Sequence, residues 1–407
     1  MNYINLIVYG LLILSFIPGI KIARKNNFNE DYFSFETTSC LKGILAFCVI
    51  FHHVSQKAAF HATGSMSFFE HIGFVFVGIF FFCSGYGLYK SFITKENYLD
   101  GFLKKRVLPL VISYYIMIAF YAVYYLITKP GFSVSEWICK LSGLTMINSQ
   151  AWFVYVIVIM YLAFYFIFKN EKLRENGIAL MLLVAIGQGL VYIIGNHFPW
   201  YLGESNWYKA PGAFSNVSWW MRPCALLFSG EWWVESTWAF VFGIWYCKNE
   251  EKILAYLKKN YLVNFIVFTA VFILATFATL HFIWDVGFWS DMGGDLGTGK
   301  KAAGYILLNL YCVYTCFYLA LIMLKVRVNN KFYAFFGKMS LEIYLVQEIF
   351  LFTFNPLIQK GRNPVFKANN INLLQYLALV AVCVIAASFI YRFLNVIATK
   401  KLKSKKN

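Results

Sequence analysis

The sequence predicts an all-α polytopic membrane protein of about eleven transmembrane helices. Three observations carry this: 60% of the 407 residues are hydrophobic, only 14% are charged, and the apolar residues fall into long runs between short polar segments. A soluble protein carries roughly 25% charged residues, and a helix needs roughly 20 apolar residues to cross the hydrocarbon core. The runs are 4–22, 41–60, 71–93, 107–127, 151–168, 178–194, 223–247, 261–284, 303–324, 332–354 and 372–397. The first has no basic stretch before it and no small-residue cleavage site after it, so it reads as a retained helix rather than a signal peptide. The seventh is the least uniform, with Arg222 at its border and Glu231 and Glu235 inside. No internal repeat or low-complexity segment breaks the pattern, which predicts one integral membrane domain over residues 1–407.

The net charge is +17. In a soluble chain that points to nucleic acid. Here the basic residues lie between apolar runs, so the charge reads as topology and no nucleic-acid partner is expected. Loops after the odd-numbered runs hold most of it, among them Lys21, Arg24 and Lys25, then Lys95, Lys104, Lys105 and Arg106, then Lys169, Lys172 and Arg174, and the tail ending "TKKLKSKKN". The positive-inside rule makes these loops cytoplasmic. Eleven crossings in the cell membrane then put the N-terminus outside and the C-terminus in the cytoplasm. The nine cysteines sit mostly inside apolar runs without CxxC or Cys/His zinc spacing, and read as packing residues. Asp285, Asp291 and Asp295 lack the spacing of an EF-hand loop. No metal is expected.

One run carries polar groups that a lipid-facing helix would not tolerate cheaply. "LKGILAFCVIFHH", residues 41–53, has Lys42 at its start and His52 and His53 at its end. Lys42 and His53 are eleven residues apart, so on an α-helix they share a face to within about 20° and stand about 16 Å apart along the axis. Ala46 and Val49 lie between them on that face, and His52 points about 100° away. Ionisable groups inside a membrane segment usually face a cavity or a partner. Imidazole exchanges a proton near neutral pH, the property of a general base. The competing reading has Lys42 snorkelling at a helix end and the histidines at the outer interface.

The stretch resembles the signature of the membrane-bound acyltransferase type 3 family. There a basic residue, usually Arg, precedes a His by eleven positions on a transmembrane helix; Lys42 and His53 fall on those two positions. Further similarities follow in order. "GFVFVGIFFFCSGYGL" (73–88) resembles a Phe-Phe-x-x-Ser-Gly stretch with Phe81, Phe82, Ser84 and Gly85, and "FLKKRVLP" (102–109) a basic stretch before a Pro. "AWFVYVIVIMYL" (151–162) resembles a Trp-Phe helix, "WAFVFGIWY" (238–246) a helix ending in Gly and a basic loop, and "FFGKMSLEIYLVQ" (335–347) a Gly-Lys-x-Ser…Tyr-Leu-x-His segment. The chain departs from the pattern at Lys42, where Arg is usual, in the basic stretch, which lacks a second Arg, and at Gln347, where a His is common. The resemblance implies a ten-helix core over about residues 38–397, with residues 1–22 an added N-terminal helix.

It also implies transfer of an acyl group, commonly acetyl, from acyl-CoA to a hydroxyl of a cell-surface glycan or lipid-linked sugar. Acyl-CoA is then a co-substrate, commonly acetyl-CoA, with no bound cofactor; the other partners are the glycan acceptor and membrane lipids. His53 takes the hydroxyl proton, an assistance worth about 10²–10⁴ in rate. The oxyanion needs donors, for which Ser84, Tyr86 and a backbone N–H near Gly85 are candidates. Lys104, Lys105 and Arg106 suit the phosphates of CoA, with Lys42 at the same membrane level. Glu231, Glu235, Glu342 and Glu348 are candidates to orient His53. Trp152, Glu231, Trp232 and Trp233 are the acceptor-side candidates, the last two within an aromatic cluster that includes Trp200, Tyr201, Trp207, Tyr208, Trp219 and Trp220. Aromatic faces pack on sugar rings, although an interfacial belt explains the same composition. A transporter or flippase of lipid-linked saccharides is the reading from another class. It predicts paired repeats and broken helices, and neither is visible. A catalytically inactive member, with Lys42 and Gln347 as its marks, is the third.

Overall fold

The structure, a computed structural model, describes residues 3–128, 131–132, 134–143, 146–194, 234–286, 298–359 and 369–404. The chain runs α1 (Tyr3–Phe16), β1 (Ile20–Ile22), α2 (Phe35–Ser55), α3 (Ala58–Thr63), α4 (Ser67–Glu70), α5 (Gly73–Thr94), a π turn (Leu103–Val107), α6 (Leu108–Thr128), α7 (Val134–Leu141), α8 (Trp152–Lys169), α9 (Glu171–Glu175) and α10 (Gly177–Ile194). It continues as α11 (Trp238–Lys248), α12 (Glu250–Lys259), α13 (Tyr261–Val286), α14 (Thr298–Met323), β2 (Val326–Val328), α15 (Lys331–Gly337), α16 (Ser340–Thr353) and α17 (Asn370–Ser404). Seven helices among the described residues are long and apolar enough to cross a membrane: α2, α5, α6 with its π turn, α8, α13, α14 and α17. The protein is an all-α, multi-pass membrane protein. Each remaining apolar run carries a shorter helix; the seventh is described only from Val234 onward.

Two expected helices differ from their sequence pattern. The first run was expected to be helical through residue 22, but α1 ends at Phe16 and Ile20–Ile22 forms a strand. The break lies at Pro18 and Gly19. The residue before a proline is pushed out of the helical region, and Gly19 sits at φ +122°, which other residues rarely adopt. The run 332–354 is likewise two helices, α15 and α16, interrupted after Gly337.

The described residues group into two compact units. The first comprises Met1–Phe80, Glu251–Phe272 and Thr315–Leu394. Its centre is the crossing of α2 and α15. A Cβ on Gly43 would overlap the Tyr333 carbonyl, and one on Gly337 would overlap the Ser39 carbonyl. Lipid gives no hydrophobic drive to bring helices together, so close backbone packing across small residues does that work. Around the crossing, Phe47 meets Phe336 at 5.3 Å and Phe332 at 6.1 Å between ring centroids. The helix α1 joins the two ends of α2. Its Asn5 accepts from the Met66 N–H at 2.6 Å, beyond the C-terminus of α2, while Asn330, before α15, donates to the Ser15 carbonyl at 2.9 Å. Strands β1 and β2 pair antiparallel, Lys21 opposite Arg327, and Asp31 holds the Arg327 guanidinium at 2.7 Å.

The second unit comprises Phe81–Glu250, Ile273–Tyr314 and Asn395–Asn407. Buried Asn309 organises one side of it. Its Oδ1 accepts from the Trp238 N–H at 2.9 Å, and its amide donates to the Val234 carbonyl at 3.2 Å. At another point Glu250 accepts from the Tyr86 hydroxyl at 2.8 Å and from Lys90 at 2.9 Å.

Gly43→Ala and Gly337→Ala are each expected to destabilise the protein by about 1–3 kcal/mol or more through overpacking. Gly87→Ala, where a Cβ meets open space, is expected to be neutral or slightly stabilising. Thermal unfolding of the three variants in one detergent checks this ordering.

Candidate active site

Helix α2 begins at a capped N-terminus, with the Ser34 hydroxyl accepting from the Thr37 N–H at 3.3 Å. It then runs unbroken through Lys42 to His53. The sequence-derived spacing therefore holds: the two side chains share a face within about 20°, separated by about 16 Å. Ala46 and Val49, between them on that face, are each 3% exposed. That stripe of α2 is turned into protein, not toward lipid. Lys42 lies two turns inside the helix rather than at its end. It makes no hydrogen bond or ion pair among the described residues.

The two histidines are in different situations. Their ring centroids are 5.0 Å apart. Nδ1 of His52 is 2.8 Å from the Phe69 carbonyl, which can only accept, so this nitrogen carries the proton. The other ring nitrogen, Nε2, is 3.2 Å from the Gln56 amide nitrogen and accepts from it. Both nitrogens are engaged, and a Cβ on Gly73 would overlap the ring. His52 thus fastens the end of α2 to α4 and to the start of α5. His53 has no such fastening. Its polar neighbours are His52, Gln56 and Lys57.

Lys57 follows α2, with its ammonium 4.7 Å from the centre of the Phe352 ring. Burial pushes its pKa down, and the nearby Glu348 carboxylate opposes that shift. This accounts for one of the four carboxylates considered as partners of His53. Glu342, 2% exposed, is paired instead with Arg392 at 2.9 Å. Glu235, 4% exposed, belongs to the second unit, with Cys312 and Tyr305 as neighbours. Glu231 lies outside the described residues, as do Trp232, Trp233 and the other aromatic residues of the cluster from Trp200 to Trp220. Among the described residues, no carboxylate stands among the polar neighbours of His53.

In the second unit, Ser84 is beside the hydroxyl of Tyr161 on α8. Trp152 is 4% exposed, with Phe81 and Phe153 rings at 6.4 and 6.2 Å. The cations Lys104, Lys105 and Arg106 are exposed on the π turn. In this turn the Leu108 N–H bonds the Leu103 carbonyl five residues back, and Pro109, which has no N–H, follows it. Lys105 donates to the Asp100 carbonyl at 3.1 Å, and Arg106 Nε to the Tyr98 hydroxyl at 3.1 Å. With Lys95, Glu96, Asn97, Tyr98 and Phe102 they line a cleft of about 280 Å³. Cations and a tyrosine ring around one cleft suit a phosphate-bearing ligand.

Sequence reasoning passed over Gln56 and treated Lys57 only as loop charge. The signal was present in "HHVSQK": Gln56 stands three residues after His53 and four after His52, the two spacings at which helical side chains meet.

On the loop between α4 and α5, His71 titrates below its ordinary value, because burial outweighs the favourable field of Glu70. A histidine whose folded pKa is depressed contributes stability in full above the unfolded value, about 6.5, and loses it as pH falls from there through the depressed folded value. Hydrogen-exchange protection factors across residues 58–73 are therefore expected to fall as pH drops below about 6.5, and His71→Gln to reduce the drop.

With this geometry in view, comparison with known proteins assigns the class. A family model described as an acyltransferase domain matches residues 39–392, most of the chain. The chain belongs to that family of membrane acyltransferases. No curated protein and no solved structure matches it.

Proposed function

We propose that the protein is an O-acyltransferase that moves an acyl group, most simply acetyl, from cytoplasmic acyl-CoA to a hydroxyl of a cell-surface or lipid-linked glycan, with His53 as general base. The observation that carries this reading is the contrast between the histidines: His52 has both ring nitrogens committed, whereas His53 stands on the inward face of α2 in line with Lys42. A base needs a nitrogen lone pair that structure has not already consumed. Attack of the hydroxyl on the thioester carbonyl transfers its proton to His53. The tetrahedral oxyanion collapses with loss of the CoA thiolate, which takes up a proton. Ser84, with its neighbour Tyr161, remains the hydroxyl candidate for an oxyanion donor. The acceptor side is assigned to Trp152, Glu231, Trp232 and Trp233.

Lys104, Lys105 and Arg106 are assigned to the CoA phosphates. Their charge supports this, as does the tyrosine ring under Arg106, 5.8 Å from the guanidinium. Lys42 acts as a point charge toward the same anionic donor; it lacks the bidentate fork of an arginine. The assignment requires the loop 94–107 to be cytoplasmic, with the N-terminus outside and the C-terminus inside, as the loop charges suggest.

His53→Ala is expected to lower transfer at least about a hundredfold while the protein remains inserted and folded. Lys42→Ala is expected chiefly to raise the apparent KM for acyl-CoA, and Lys42→Arg to keep activity. Mass spectrometry of surface glycans from cells with and without each variant reads the transferred acyl mass, and names donor and acceptor class together. Full activity of His53→Ala at matched expression would remove the assigned base. Orientation has its own check: Lys95→Cys should react with an impermeant maleimide only after the membrane is opened, against the parent protein as background.

A further inference from the structure

We infer that Gln56 is a positioning residue for His53, its side-chain amide bridging the two histidines and fixing which imidazole nitrogen of His53 is free to accept a proton. The inference rests on reading His53 as the base. It gives His53 an orienting partner that no carboxylate among the described residues supplies.

The geometry runs outward from a fixed point. The Phe69 carbonyl can only accept, so His52 Nδ1 donates to it and His52 Nε2 is left as an acceptor. The Gln56 group 3.2 Å from Nε2 is its amide nitrogen, which can only donate. The amide is therefore oriented by the bond to His52, and its oxygen must point elsewhere. Gln56 caps α2 at φ −73° and ψ −11°, still helical, with its backbone N–H bonded to the His52 carbonyl. On that continuing helix it lies about 40° from His52 and about 60° from His53, on opposite sides. The histidine rings are 5.0 Å apart at the same level, and Gln56 is a side-chain hydrogen-bonding neighbour of His53. The remaining acceptor of Gln56 thus faces the His53 ring, which has no other hydrogen-bond partner among the described residues. A ring N–H of His53 donates to Gln56 Oε1, and the opposite nitrogen keeps its lone pair for the hydroxyl proton.

An amide differs here from a carboxylate. It sets the tautomer without adding a negative charge to a stretch already close to the Lys57–Glu348 pair. It also depends on His52, because the bond to His52 Nε2 decides which end of the amide is oxygen. Packing of Gly73 against the His52 ring completes the chain of positions.

The test uses the full-length protein in inside-out membrane vesicles from cells that make it, supplied with radiolabelled acetyl-CoA, with label counted in vesicle glycan. Gln56→Met keeps the length of the side chain and removes both polar atoms. Its kcat is expected to fall about 10–100-fold, the usual effect of losing an orienting partner, with the KM for acetyl-CoA unchanged. Gln56→Glu keeps an acceptor for His53 and should recover most of the lost rate. In a His53→Ala background, Gln56→Met should change nothing further. Thermal unfolding of each variant separates folding losses from catalytic ones. Wild-type turnover by Gln56→Met, or a Gln56→Glu no better than Gln56→Met, overturns the inference. If His53→Ala itself turns over normally, the base assignment fails first. If it is dead while Gln56→Met is fully active, only the role of Gln56 falls.

Discussion

The backbone contact between α2 and α15 is the constraint on which the first unit depends. Gly43 and Gly337 let two helices approach until each lies against a carbonyl of the other. That approach fixes the rotation of α2 about its axis. Once the rotation is fixed, the stripe of Lys42, Ala46, Val49 and His53 has to face protein. The azimuth of the imidazole follows from a contact about ten residues, or about 15 Å, away along the helix. A bulkier residue at either glycine would turn or displace the stripe as a whole, since a helix transmits rotation rigidly over three turns.

The adjacent histidines illustrate how a helix assigns different work to neighbours. A rotation of about 100° separates them, and it sends one ring to the Phe69 carbonyl and leaves the other without an equivalent anchor. A buried imidazole with both nitrogens bonded is a rigid polar rivet. One with a free lone pair is reactive. The chain places the rivet immediately before the proposed base, so the register of α2 is secured beside it. Lys57 and Glu348 extend this polar layer beyond the helix end, and Phe352 covers the ammonium. Ionic groups at such a depth are expensive unless they compensate one another.

Much of this was legible in the sequence because it is local. Apolar runs longer than about 18 residues located the long helices, and the spacing of Lys42 and His53 required only that α2 be continuous. What could not be read depends on partners distant in the chain. The close approach of Gly337 to the Ser39 carbonyl joins residues far apart in the chain. The short pairing of Ile20–Ile22 with Val326–Val328 joins two distant triplets whose β-branched and polar alternation is too short to read as a strand. The Pro18–Gly19 break was present in the letters, but the hydropathy of the run outweighed it. Glu342 read as a candidate partner of His53 because the sequence does not say that Arg392 neutralises it. The carboxylates were sought by residue type, while the group oriented beside His53 is a neutral amide four residues downstream of its neighbour.

The π turn ahead of α6 has a consequence for how charge and packing are coupled. Residues Ser113, Tyr114, Met117, Ile118 and Tyr121 form the buried side of α6, and that side sets the helix in place. In an ordinary α-helical turn the azimuths of Lys104, Lys105 and Arg106 would follow from the buried side of α6 at about 100° per residue. The wider turn at Leu103–Val107 absorbs one extra residue instead, which offsets the cations by about 100° relative to the buried side. The cationic cluster is therefore indexed separately from the helix that carries it, like a dial on a fixed shaft. One residue added or removed in this turn would re-aim the three charges together with Phe102, which is buried against α8 just before it.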